Sequence, residues 1–247
     1  MSNIILKRIY LITTGMLMAT SIFSQGIPAF DKINTSAGVV EMHFIGHGSL
    51  MFRINNFFIY IDPVRSSGSY DNPPKADLIL VTHEHGDHLD AELINDLLKD
   101  GTIILCNAKS APNIPWAQIL KPGESNLING ITVEAVQAYN IKNVRAGGQP
   151  YHPKGEGNGY ILTIGDKRFY IAGDTENTPE MKALKNIDVA FLPMNLPYTM
   201  TPEMVADAAR SFKPSILYPY HYGDTNTANI IKLLKDSGIE VRIRNLK

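Results

Sequence analysis

Cysteine is almost missing from this chain: Cys106 is the only one in 247 residues. A single thiol cannot close an internal disulfide, so no covalent staple holds the fold together. Cys106 ends the apolar run Ile103-Ile104-Leu105, which marks it as a small core residue rather than a nucleophile. Excess charge of one sign is missing too. The 23 basic and 24 acidic residues nearly cancel, for a formal net charge of −1. That balance leaves no electrostatic footprint for a nucleic acid or an acidic membrane surface. No low-complexity stretch or linker divides the chain. What is present suits a globular protein with a sizeable core: 44% hydrophobic and 19% charged residues. The length fits one large domain or two small ones, and no boundary is visible.

The first two dozen residues differ from the rest. Lys7 and Arg8 precede an apolar stretch from Ile9 to Phe23, and polar sequence resumes at Ser24-Gln25. A basic start, an apolar middle and a small residue at the boundary form the layout of a secretory signal peptide. Cleavage is expected after Ser24, giving an exported, periplasmic or extracellular product, although Ile22 is not the best small residue for its position. The apolar stretch is shorter than the ~20 residues of a membrane-spanning helix. No stable span is therefore expected after removal of residues 1–24, and retention as an anchor is the competing reading. No cysteine lies nearby to carry a lipid.

Residues 25–38 read as a polar lead-in. Strands are predicted at Val39–Ile45, Ser49–Ile54 and Phe57–Ile61, runs rich in β-branched and aromatic residues, with Asn55-Asn56 as a hairpin turn. Asp77–Thr82 is a further apolar strand. Leu89, Leu93, Ile94, Leu97 and Leu98 recur at helical spacing before Gly101. Ile103–Cys106 and Ile131–Ala138 return to strand. Tyr139–Gly159 is rich in glycine, lacks periodicity and reads as a long loop, the kind that tends to carry function. Tyr160–Ile164 and Arg168–Ala172 form a hairpin around Gly165-Asp166. Thr178–Leu184 is a short helix and Asp188–Leu192 a strand. Pro202–Phe212 is a helix with Thr201 as its cap and proline in its first turn. Ser215–Tyr218 is a strand, and Thr227–Leu234 a last helix closed by Gly238. Strands come first, then alternate with helices, and this order runs through twice. Two packed sheets with helices outside satisfy it.

The strongest chemical signal is Thr82-His83-Glu84-His85-Gly86-Asp87-His88, directly after an apolar strand. Imidazole nitrogen and carboxylate oxygen are the donors that suit zinc and similar divalent ions. His83 and His85 lie two apart, so an extended segment points both to one side. Gly86 permits the tight reversal that follows. Asp87 and His88 then sit on the turn into the next helix, where they can reach a second position. A chance cluster of solvated polar residues does not account for this spacing.

The motif resembles the metallo-β-lactamase superfamily, marked by His-x-His-x-Asp-His after a strand. The resemblance runs from about Val39 to Lys247, because further motifs stand in order. Asp62, in Ile61-Asp62-Pro63, matches an acidic residue that orients metal ligands from behind, and Thr82 is assigned the same supporting place. Gly173-Asp174-Thr175 resembles the family's Gly-Asp-[Thr/Ser], whose carboxylate bridges two metals. Pro219-Tyr220-His221-Tyr222-Gly223 resembles the motif that supplies the last histidine. Gly46-His47-Gly48-Ser49 and Thr199-Met200-Thr201-Pro202-Glu203 are similar to the branch of ascorbate-6-phosphate lactonase-like proteins. There the histidine lies at the pocket edge, so His47 would orient substrate or share in proton transfer. A hairpin histidine satisfied by backbone is the alternative. Tyr198 and Met200 would line the pocket, while His43 has no motif context and reads as structural. The fold this implies is α/β (α+β): a four-layer αββα sandwich of two mixed β-sheets with helices outside.

One departure matters. The superfamily places a histidine after the strand corresponding to Ile131–Ala138, as a ligand of the first metal. This chain has Asn140 there, a poorer ligand, with His152 available from the glycine-rich loop. The resemblance thus implies His83 and His85 on one metal, completed by His152 or Asn140. Asp87, His88 and His221 would hold the other, and Asp174 would bridge. Two ions are implied, zinc first, with manganese or iron as alternatives. Such a site turns water into hydroxide near neutral pH for attack on an ester, lactone, phosphodiester or amide-type small molecule. Asp87, Asp174 and His47 are the candidate catalytic residues. Diiron redox relatives carry glutamate where this chain has His85, which favours hydrolysis. A metal-binding protein with weak or lost turnover is the third reading, kept open by Asn140.

Overall fold

The computed structural model describes residues 30–247. The expected leader and its cleavage point lie outside the described residues. Two seven-stranded sheets pack face to face. The first contains β1 (Phe30–Thr35), β2 (Gly38–Gly46), β3 (Ser49–Ile54), β4 (Phe57–Ile61), β5 (Leu78–Val81), β6 (Ile103–Cys106) and β7 (Gln118–Ile119), side by side in that order. The second contains β8 (Ser125–Ile128), β9 (Ile131–Ala138), β10 (Gly157–Ile164), β11 (Lys167–Ile171), β12 (Val189–Pro193), β13 (Ile216–Tyr220) and β14 (Glu240–Val241), also in sequence order. Each begins as an antiparallel meander, β1–β4 or β8–β11, and ends in parallel pairing, β4–β7 or β11–β14. Parallel neighbours need a crossover. Helices supply most of these: α1 (Ala91–Leu97) in the first half, and α2 (Pro179–Lys182), α3 (Pro202–Phe212) and α4 (Ala228–Leu234) in the second.

The helices start where capping chemistry allows. Asp90, Thr178 and Thr201 accept the amides of Leu93, Met181 and Met204, at 2.8, 3.1 and 3.2 Å. The inter-sheet core holds Phe44, Phe52, Phe169, Phe191, Tyr218 and Tyr220, all buried. Leu93, Ile94 and Leu97 of α1 seal the outer face of the first sheet, together with Cys106. Val205, Ala208, Ala209 and Phe212 of α3 seal the second. The layer order is thus αββα, as the alternation of elements implied. Among the described residues no helix is long and apolar enough to cross a membrane.

Several expectations need correction. Phe30–Thr35, assigned to a polar lead-in, is the edge strand of the first sheet, paired with Gly38–His43. Its residues alternate only between exposed and half-buried, so it carries no apolar stripe to announce it. Strands β7, β8 and β14 went unread because they are only two to four residues long, with at most one buried position each. The long loop after β9 ends earlier than expected, because β10 begins at Gly157 rather than Tyr160.

Candidate metal centre

Each site motif stands where the chain leaves a strand or turns between two strands. His47 lies in the β2–β3 turn, Asp62 follows β4, Thr82 follows β5, Asp174 follows β11, and His221 follows β13. All converge on one edge of the sandwich. At Gly173 a Cβ would lie 2.5 Å from Asn158 O, and its φ is +65°, so only glycine lets the chain deliver Asp174. At Gly48 a Cβ would lie 2.8 Å from His88 Cε1, so this glycine makes room for that ring.

Asp62 is fully buried and organises the first motif. Its carboxylate accepts the Thr82 amide at 2.7 Å, the Thr82 hydroxyl at 2.6 Å and His88 Nδ1–H at 2.7 Å. Because the Thr82 hydroxyl donates to Asp62, its oxygen is left to accept His83 Nδ1–H at 3.0 Å. In both rings Nδ1 is therefore committed to its hydrogen bond, and Nε2 is the nitrogen turned toward the cluster. Asp62 and Thr82, expected behind the ligands, thus lie against the Nδ1 sides of His88 and His83.

Two groups of donors result. His83 Nε2 and His85 Nδ1 are 3.1 Å apart, and His152 Nε2 lies 3.2 Å from the same His85 nitrogen. His152 thus reaches the position for which sequence offered two candidates. Asn140, the other candidate, is turned away from the cluster. Its Oδ1 accepts both the His152 amide and His152 Nδ1–H, at 2.7 and 2.8 Å, and its Nδ2 donates to Tyr198 O at 2.8 Å. With both lone pairs occupied, Asn140 aims His152 instead of replacing it. The second group gathers His47, Asp87, His88 and His221. Asp87 Oδ2 lies 3.1 Å from His47 Nε2 and 3.4 Å from His221 Nε2. Asp174 stands between the groups, with Oδ2 3.3 Å from His152 Nε2 and 3.4 Å from His221 Nε2, and Oδ1 3.5 Å from His88 Nε2.

The electrostatics suit a cation. Burial, reinforced by the neighbouring histidines, pushes His83 far below the usual imidazole range and His152 down to about 4, against the pull of Asp174. Both are neutral donors at physiological pH. Burial also works against a charge on His88, but Asp174, Asp62 and Asp87 outweigh it and raise that ring to about 9. Burial opposes ionisation of Asp174, yet the surrounding histidines hold it well below the carboxylate range. His88 Nε2, Asp174 Oδ1 and both ring nitrogens of His221 are buried without a hydrogen-bond partner. Orphaned polar atoms of this kind cost about 1–3 kcal/mol each, and convergent lone pairs on nitrogen and oxygen are what a divalent ion satisfies.

The groups open onto a cavity of about 400 Å³, shared with Tyr198 as expected and with Arg145, Tyr151 and Asn195, which sequence reasoning missed. Arg145 and Tyr151 sit in the long Tyr139–Gly159 loop, whose length was the lone signal, and Asn195 follows β12 with no signal of its own. Met200, expected at the pocket, is fully buried in the core beneath α3. Its apolar side chain belongs with the helix that follows it. His43 lies away from the centre, stacked on Phe30 at 4.9 Å.

Residues 41–221 match the family described as the beta-lactamase superfamily domain. The chain belongs to this superfamily. Among superfamily members it is similar to a solved structure from Parabacteroides distasonis described as a metal-dependent hydrolase. That likeness has 49% identity and a TM-score of 0.84 over 89% of this chain and 99% of the other. A UPF0173 metal-dependent hydrolase of Geobacillus is 29% identical over 194 residues, covering 74% of this chain and 85% of its own. The metallo-hydrolase Igni18 of Ignicoccus hospitalis shares the fold, with 22% identity and a TM-score of 0.69 over 84% of this chain and 95% of its own.

Proposed function

We propose that this protein is an exported hydrolase with a binuclear metal centre. His83, His85 and His152 would hold one ion. Asp87, His88 and His221, with His47 beside them, would hold the other, and Asp174 would serve both. The observation that carries this reading is the convergence of imidazole nitrogens and two carboxylates, several of whose atoms are buried with no hydrogen-bond partner of their own. The donor set of nitrogen and carboxylate oxygen suits zinc, with manganese and iron able to take the same donors. A divalent ion there supplies acidified water and a Lewis acid for a carbonyl or phosphoryl oxygen.

The chain's own groups do the rest. Asp62 and Asn140 engage Nδ1 of His88 and His152, which leaves Nε2 of each as the nitrogen that would meet an ion. Asp87 is half exposed on the open side of the cluster and bonded to His47, whose Nδ1 faces Lys247 O at 3.3 Å. This pair is placed to carry a proton between the site and solvent. An ester, lactone, phosphodiester or amide of small size fits the cavity. Asn140 in place of the usual histidine keeps open a metal-binding protein with weak or lost turnover, and His152 Nε2 at 3.2 Å from His85 supports the hydrolytic reading against it. Export rests on Lys7, Arg8 and the apolar stretch ending at Phe23.

Metal analysis of the purified protein by elemental mass spectrometry, with turnover of an ester, a lactone and a phosphodiester before and after chelation, tests the reading. Two ions per chain and chelator-sensitive hydrolysis are expected. Two ions with no turnover would turn the protein into a metal-binding relative. Oxygen-dependent turnover of an iron-loaded form would make it a redox enzyme.

A further inference from the structure

The cavity over the histidines carries a cation of its own. Arg145 sits at the base of a small hairpin closed by the Val144–Pro150 bridge. Its amide donates to Gln149 O at 2.7 Å, and its carbonyl accepts the Gly148 amide at 2.8 Å. The guanidinium carbon lies 4.9 Å from the centre of the Tyr151 ring, and Nη2 reaches Tyr151 O at 3.5 Å. Tyr151 is braced edge-on by Tyr198, with ring centres 5.1 Å apart. Asn140 and Asn143 stitch this loop to the next by donating to Tyr198 O and Thr199 O, at 2.8 and 2.6 Å. Arg145 is thus held over the cavity by a built support.

The guanidinium lacks an acidic partner. Among the described residues no carboxylate lies within ion-pair distance of Arg145, whereas Arg53, Arg65, Arg168, Arg242 and Arg244 each have one. The carboxylates of the cavity, Asp87 and Asp174, are engaged by histidines. An arginine fork matches a carboxylate or a phosphate in two parallel bonds. The same two loops expose Ile141, Val144, Leu196 and Tyr198, an apolar surface beside that charge.

We propose, building on the hydrolytic reading of this centre, that Arg145 anchors an anionic group of the substrate remote from the bond that is cut. The substrate class is then a small amphiphilic anion: one carboxylate or phosphate on Arg145, an apolar or ring portion against Tyr151 and Tyr198, and the scissile bond over the histidines.

The test uses the full chain loaded with zinc, and probes whose binding requires no turnover. Benzoate and phenylphosphonate are titrated calorimetrically into the unmodified protein, Arg145→Ala and Arg145→Lys. The affinity for at least one anion should fall tenfold or more in Arg145→Ala and recover in part in Arg145→Lys, with the thermal midpoint held. The anion that loses more identifies carboxylate or phosphate as the natural group. Equal affinity in Arg145→Ala overturns the proposal, as does failure of the unmodified protein to bind either anion below 10 mM (a threshold roughly tenfold weaker than a millimolar Kd). A kinetic arm compares mono-4-nitrophenyl adipate with neutral 4-nitrophenyl butyrate. The preference for the anionic ester in kcat/KM should fall tenfold or more in Arg145→Ala, through KM rather than kcat. If the metal-loaded protein cleaves neither ester, the hydrolytic reading of these bonds fails, and the calorimetric arm still decides the role of Arg145.

Discussion

Removing the amide of Asn140 tests how this centre is completed. Asn140 Oδ1 receives two hydrogen bonds from His152, at 2.7 and 2.8 Å, and Nδ2 ties the residue to Tyr198 O at 2.8 Å. Asn140→Ala therefore deletes the partner that fixes both the ring orientation of His152 and the tautomer that bares Nε2. Loss of such a supporting partner weakens metal affinity about 10- to 100-fold, or about 1.4–2.8 kcal/mol. The effect should fall on one ion of the expected two, because His47, Asp87, His88 and His221 make no hydrogen bond to Asn140. The assay is competition for zinc against a chromophoric chelator, resolving two affinities on the full chain. Asn140→Asp keeps acceptor oxygens in place and should retain most of the affinity. His152→Ala should lose the weakened ion altogether. If Asn140→Ala competes as well as the unmodified protein for both ions, the tether is irrelevant and the argument fails. If His152→Ala also keeps two ions at unchanged affinity, His152 is no donor.

Asp62→Ala leaves the Thr82 amide, the Thr82 hydroxyl and His88 Nδ1–H without their buried acceptor, so urea denaturation of the metal-free protein should show a loss of at least about 3 kcal/mol; a loss under about 1 kcal/mol would mean that other groups can take these bonds. Gly173→Ala forces a Cβ to within 2.5 Å of Asn158 O at a φ of +65°, which should cost about 2 kcal/mol or more and lower the metal stoichiometry; unchanged stability and stoichiometry would refute the close-approach argument. Burial alone would raise the pKa of Asp31, but its bonds to Arg244 and Tyr218 and the charge of Arg242 bring the folded value below the ordinary 3.8. Its stabilisation is therefore complete at neutral pH and is lost as pH falls below that value. The denaturation midpoints of the unmodified protein and Asp31→Asn should differ by a constant amount from pH 5 to 8, about one unit above the ordinary carboxylate range, and converge in more acid solution. Cys106 is fully buried and its thiol is pushed up to about 11, so a thiol reagent at about pH 8, near the free-thiol pKa, should label it only after unfolding; labelling of the native protein at the free-thiol rate would place Cys106 at the surface.

What could be read from the sequence depended on how far apart the cooperating residues lie. His83, His85, Asp87 and His88 stand within one turn of chain, so their spacing already carried the chemistry. Asp62, Asp174 and His221 were legible through the resemblance to superfamily motifs, each of which follows a strand. The choice between His152 and Asn140 was not legible, because it turns on which of two side chains faces the cluster, and a hydrogen bond between them settles that. Arg145 was missed because its support, Tyr151 braced by Tyr198, crosses loops that only the folded chain brings together. The edge strand β1 escaped because its stability is non-local. It comes from pairing with β2 and from Asp31, whose carboxylate takes two bonds of 2.7 and 2.8 Å from Arg244.

The repeated sheet pattern explains why the centre forms where it does. In both halves the chain turns sharply at the same edge of the sandwich, and there it adopts a backbone that most side chains avoid. His47, Asp62 and His221 have φ of +52°, +43° and +46°, and Gly173 has +65°. A left-handed residue just after a strand reverses the chain at the sheet edge. For the three non-glycine residues this costs of order 1–3 kcal/mol each. Asp62 recovers its share within the fold, through three hydrogen bonds. His221 has no such bonds, since neither of its ring nitrogens has a hydrogen-bond partner. In the proposed centre a cation on His221 would offset this strain, which would tie the geometry of the second donor group to its occupancy.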